Sequence, residues 1–83
     1  MLKLATPLEA AQWLRARVTG TLQADSRKVQ PGDGFIAWPG AATDAREHVA
    51  SALARGATAC LVEHKGLDAY AFNDPSVASY EQL

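Results

Sequence analysis

A single cysteine, Cys60, stands in the whole chain. An internal disulfide is therefore impossible, and so is a zinc site built from four cysteines. No apolar run approaches the ~18 residues that mark a membrane-spanning helix, and no succession of basic, apolar and small residues marks a signal peptide. Neither sign of charge is in real excess: 8 basic against 9 acidic residues leave a net charge of −1. That excludes an ordinary basic nucleic-acid binder and an acidic tail. The phosphate loop Gly-x-x-x-x-Gly-Lys-Ser/Thr is missing, as are the Gly-x-Gly-x-x-Gly fingerprint and the Gly-x-Ser-x-Gly elbow. The 6 glycines fall at turns and caps instead. The chain reads as cytoplasmic, with neither a nucleic acid nor a membrane as partner.

What is present describes one small domain. The 83 residues are 48% hydrophobic and 20% charged, a globular balance, and only 7% are aromatic. Much of the apolar content is alanine, which buries little area. At ~25 cal/mol per Å² of buried apolar surface, the core must lean on larger side chains. The candidates are Trp13, Leu14, Phe35, Ile36, Trp38, Val49, Leu53, Leu61 and Val62. A domain of this size is marginal alone and reads as a piece of something larger.

Both helices are announced at their ends. Thr6-Pro7-Leu8-Glu9 places a capping threonine before a proline at the first helical position, with a glutamate three residues after the cap. It predicts a helix over 7–17. Asp44 and Glu47 repeat the capping pattern, Val49, Ala50, Leu53 and Ala54 follow at helical spacing, and Gly56 suits the left-handed residue that closes a helix. Strands are expected at 21–25, at 35–38 and at 58–62, and a further one at 77–80. Pro31-Gly32-Asp33-Gly34 is a turn, and Glu81-Gln82-Leu83 resembles the start of another helix. Strand, loop, capped helix, glycine and strand make a βαβ unit with parallel strands. The predicted class is α/β: a small three- to four-stranded parallel or mixed sheet with two helices and one βαβ unit.

Most chemistry-bearing side chains have structural explanations. His48 and His64 lack companions for a metal and read as solvent-facing. Cys60, inside an apolar strand, reads as a small buried hydrophobe. Two segments resist that account. Ala24-Asp25-Ser26-Arg27 gathers a carboxylate, a hydroxyl and a guanidinium where a strand runs out, the usual place for ligand groups in α/β sheets. Gly40-Ala41-Ala42-Thr43-Asp44 is a small-residue loop opening a helix, whose amides a ligand can approach closely. On pattern alone, turn and cap remain the favoured reading of both.

The order of these segments adds to the pattern. Asp25-Ser26-Arg27 followed by Pro31-Gly32-Asp33-Gly34-Phe35-Ile36-Ala37 resembles the "DSR…PGD-x-FIA" signature of the Mur ligase N-terminal domain. Gly40 to Asp44 resembles its "G-x-x-x-D-G" segment. Ala52 to Val62 resembles its "A-x-x-x-GA-x-A-x-LV" passage. The match covers 21–63, about half the chain. Its wording is most similar to the E-type members, which add the third amino acid of the peptidoglycan stem peptide; the F-type sister is the rival. Ala45 departs from the family's usual glycine, which is harmless if the position lies in the first turn of a helix.

The resemblance implies a domain over 1–83 that holds the UDP end of UDP-N-acetylmuramoyl-L-alanyl-D-glutamate. It implies that ATP and Mg²⁺ belong to a central domain outside this sequence, so no cofactor, metal or catalytic residue is expected in the chain itself. The parent's own central domain is the implied protein partner. Family contacts to the uridine diphosphate map onto Ala24, Ser26, Ala41, Ala42 and Thr43, with Arg27 as an addition beside the pyrophosphate. The amino acid added would be meso-diaminopimelate, with L-lysine the alternative. A scaffold or interaction domain with no ligand site is the competing reading from outside the enzyme class.

Overall fold

The structure is a computed structural model that describes residues 1–40 and 42–81. Five strands, β1 (Leu2–Leu4), β2 (Leu22–Gln23), β3 (Gly34–Ala37), β4 (Ala59–Glu63) and β5 (Val77–Tyr80), form one sheet in the order β1-β5-β4-β3-β2. All four pairings are parallel. The expected three to four strands thus become five. The addition is Leu2–Leu4, a three-residue stretch in which only Leu4 is buried. So short a segment carries no alternation of its own, and becomes a strand because β5 offers it a free edge, with Leu2 opposite Ala78.

A fully parallel sheet must be covered on both faces, and here each face has one helix. Helix α1 (Pro7–Arg15) packs Ala10 and Trp13 against Leu4, Ala59, Leu61 and Ala78. Helix α2 (Val49–Ala54) packs Val49 and Ala52 against Phe35, Ala37, Cys60, Val62 and Val77. Central β4 shows the logic most plainly: Ala59 and Leu61 face α1 while Cys60 and Val62 face α2, the period-2 alternation of a strand buried on both sides. The βαβ unit is present as β3–α2–β4, with Phe35 opposite Cys60.

The caps follow the local chemistry with two adjustments. The Thr6 hydroxyl accepts from the Glu9 amide at 3.1 Å, but the Glu9 carboxylate accepts from the Thr6 hydroxyl and the Ala5 amide rather than from the Thr6 amide. The helix ends at Arg15, not at 17. Asp44 caps a 3-10 turn, Ala45–His48, that leads into α2. Its carboxylate takes the Arg46 amide, so Glu47 plays no part in a reciprocal box. Ala45 has no positive φ, so the departure from glycine costs nothing there.

Gly56, at φ +100°, closes α2: its amide reaches Leu53 O at 3.0 Å and that of Ala57 reaches Ala52 O at 3.1 Å, the paired bonds of a Schellman ending. The predicted turn at Pro31 also forms, with Gly32 at φ +91° and the Asp33 amide bonded to Gln30 O.

Trp38 corrects the expected core. The strand stops at Ala37, and Trp38 stands 44% exposed in the bend beyond it, whereas Trp13 is 7% exposed. The helix expected to begin at 81 falls on Gln82 and Leu83, outside the described residues. No helix among the described residues is long and apolar enough to cross a membrane.

Candidate functional site

Because every strand is parallel, all their carboxyl ends lie along one edge of the sheet, where ligands of open α/β sheets gather. The segment after β2 and the loop after β3 leave from neighbouring strands at that edge. Between them lies a hollow of about 550 Å³. Ala24, Ser26 and Arg27 line it from the first segment and Thr43 from the second. Of the remaining expected residues, Ala42 is exposed and does not line it, and Ala41 lies outside the described residues.

Ser26 is 9% exposed and opens a 3-10 turn, Ser26–Lys28, at the exit of β2. Asp25 caps that turn: its carboxylate accepts the Arg27 amide at 2.9 Å and both arms of the Arg27 fork, Nε at 3.0 Å and Nη2 at 2.8 Å. The guanidinium, then the amide, pull the Asp25 carboxyl down to about 2. The Arg27 side chain is 84% exposed all the same, so an anion in the hollow can compete for it with Asp25.

The second wall uses the same grammar. Asp44-Ala45-Arg46 repeats Asp25-Ser26-Arg27: an aspartate caps a 3-10 turn and grips the arginine two residues on, through its amide at 3.0 Å and its Nη2 at 2.7 Å. Here the arginine is buried, 5% exposed, and its fork holds the Asp44 carboxyl at about 2. Sequence reasoning missed it. The repeated Asp-x-Arg was the available signal, but nothing local tells the exposed copy from the buried one.

His48 and Ser51, one helical turn apart, also face the hollow, and Phe35 adds an apolar surface. His48 is exposed, as expected. His64 is not: it is half-buried, with Nδ1 3.2 Å from the Ser79 hydroxyl. Among the described residues no cluster of three or more histidine, cysteine or acidic side chains is arranged to hold a metal. Cys60 is fully buried and its thiol is pushed up to about 12, chiefly by burial.

Comparison with known proteins agrees with the order of these segments. The family described as "Mur ligase family, catalytic domain" matches residues 19–81. A UDP-N-acetylmuramoyl-L-alanyl-D-glutamate–2,6-diaminopimelate ligase from Acidovorax sp. (strain JS42) is 61% identical over 80 residues, 96% of this chain and 16% of the relative. A protein of the same name from Pseudomonas putida is 53% identical over 53 residues, 64% of this chain and 11% of the relative. A UDP-N-acetylmuramoyl-tripeptide–D-alanyl-D-alanine ligase from Mycobacterium leprae is 52% identical over 56 residues, 68% of this chain and 10% of the relative. The chain thus spans less than a fifth of the length of these relatives. Its sequence order, parallel sheet and matched region make it a member of the Mur ligase family.

Proposed function

We propose that this chain is the N-terminal, substrate-holding domain of an E-type Mur ligase, a cytoplasmic enzyme of peptidoglycan synthesis. In this reading it grips the UDP end of UDP-N-acetylmuramoyl-L-alanyl-D-glutamate while an ATP-dependent amide ligation, adding meso-diaminopimelate, proceeds on other domains. The observation that carries it is the shared hollow: Ser26 and Thr43 come from separate segments and line one cavity at the carboxyl edge of the sheet. The E-type reading draws on the Acidovorax relative, whose name specifies that substrate and whose likeness runs over 96% of the chain. The F-type reading draws on the Mycobacterium leprae relative, similar over 68%.

The chemistry at the hollow suits a nucleotide. Hydroxyls of Ser26 and Thr43 can pair with the edge of a uracil or with ribose, and backbone amides with phosphate oxygens. Arg27 can exchange the Asp25 carboxylate for the diphosphate, which offers it the same bidentate geometry. A magnesium–ATP site does not fit these residues: no glycine-rich phosphate loop is present, and the described residues hold no acidic cluster. In this reading ATP and Mg²⁺ belong to the parent's central domain, which this domain would contact, and no ligation step is assigned to residues of this chain.

Titrating UDP while following backbone amide shifts tests the proposal. Shifts are expected at Ser26 and Thr43 by millimolar ligand. Ser26→Ala and Thr43→Val should remove them while leaving the urea midpoint little changed, because neither side chain caps a helix. Amides at Ser26 and Thr43 that stay still at millimolar UDP would favour the scaffold reading instead.

A further inference from the structure

Arg46 makes more bonds than its cap requires. The exposed Asp25–Arg27 pair shows that the Asp-x-Arg turn closes with the guanidinium in solvent. Arg46 instead turns inward. Its Nη1 donates to Glu63 O at 2.8 Å and to Lys65 O at 2.6 Å, the backbone where β4 ends, and its guanidinium lies 5.1 Å from the centre of the Tyr70 ring. The other face of the fork holds Asp44, with Nε at 3.0 Å and Nη2 at 2.7 Å. One buried side chain thereby links the central strand of the sheet to Asp44.

Asp44 sits at the far end of the loop that leaves β3. The loop is closed by the Ala45 amide on Trp38 O at 3.2 Å and by the Gly40 amide on Thr43 O at 2.8 Å, with Pro39 bridged to Asp44. Asp44 does not line the hollow, but its two neighbours, Thr43 and Ala45, do.

We propose that Arg46 is a positioning residue for the hollow: anchored on the end of β4, it holds Asp44 and so fixes the loop that brings Thr43 to the ligand. This rests on the UDP-binding reading above. Lysine cannot substitute, because a single ammonium lacks the planar fork that reaches the carboxylate and two carbonyls at once. Without the fork the loop is free to open at Gly40 and Ala45 while the sheet beneath it stays closed.

The test uses the 83-residue chain and Arg46→Lys, read by amide hydrogen exchange and by UDP titration followed at Ser26. Exchange at Gly40 and Ala45 should quicken by about tenfold with Cys60 in β4 still protected. UDP affinity should fall about tenfold. A merely structural arginine would instead lower protection everywhere alike, and that outcome overturns the proposal. So does unchanged exchange at Gly40 and Ala45, or a loosened loop with undiminished UDP affinity. If Arg46→Lys fails to fold, Asp44→Asn, which keeps a cap acceptor but loses the charge, is read by the same criteria. Failure of the unaltered chain to take up UDP overturns the ligand reading itself, and is seen before any variant is made.

Discussion

The carboxylate of Asp33 accepts the backbone amide of Thr21 at 2.9 Å and that of Gln30 at 3.0 Å, tying the entry to β2 to the turn before β3. Asp33 is 6% exposed, and the two amides hold its carboxyl below the usual carboxylate range. The site inherits this tie, since β2 and β3 carry the two segments that border the hollow.

Stability should therefore depend on pH in acid. A carboxyl whose folded value lies below its unfolded value of about 3.9 contributes fully above that pH, and the contribution is lost as pH falls through the folded value. Asp25 and Asp44, both at about 2, act in the same direction as Asp33. The melting temperature should fall from about pH 4 toward pH 2. Asp33→Asn should melt lower at pH 7 and lose less on acidification. Melts across the pH range check this, and parallel curves for the two proteins would count against it.

Gly56→Ala should be costly. At φ +100° any L side chain is strained, and a Cβ built there meets Pro31 Cα at 2.8 Å. The left-handed conformation alone costs about 1–2 kcal/mol, and the backbone contact adds to it. A lower urea midpoint at unchanged slope is expected. A variant as stable as the parent chain would mean that α2 does not end as described.

Cys60 should be silent toward thiol reagents at neutral pH in the folded chain. Its thiol is fully buried and raised to about 12, so both access and thiolate are lacking. Labelling should appear in step with unfolding as urea is added. Rapid modification of native protein would contradict the packing of β4.

Much of the fold was legible because its signals are local. The Pro31-Gly32 turn and the Gly56 ending each follow from the conformational freedom of one or two residues. The βαβ unit followed from an apolar run on either side of a capped helix. Leu2–Leu4 gave no such signal, because a three-residue edge strand is defined by its partner rather than by its own pattern. Trp38 misled for the converse reason: it continued the apolar run past the last residue that the sheet could pair.

At the site, two short segments stood out from a core-only account because they gather polar groups and bare backbone at strand ends. That Ser26 and Thr43 line one hollow depends on β2 and β3 being neighbours. The burial of Arg46 was not legible: its motif matches that of Arg27, yet one side chain is in solvent and the other is buried.

The amino-acid order by itself determined the turns, the Gly56 helix ending, the buried central strand and the family, since each is written in neighbouring residues whose interactions span a few positions. The tertiary structure decided which strands became neighbours, which of two like arginines went inside, and which side chains came to share a cavity. Those outcomes are set by what packs opposite a residue, and burial and pairing across the sheet are free energies that no short stretch of chain holds alone.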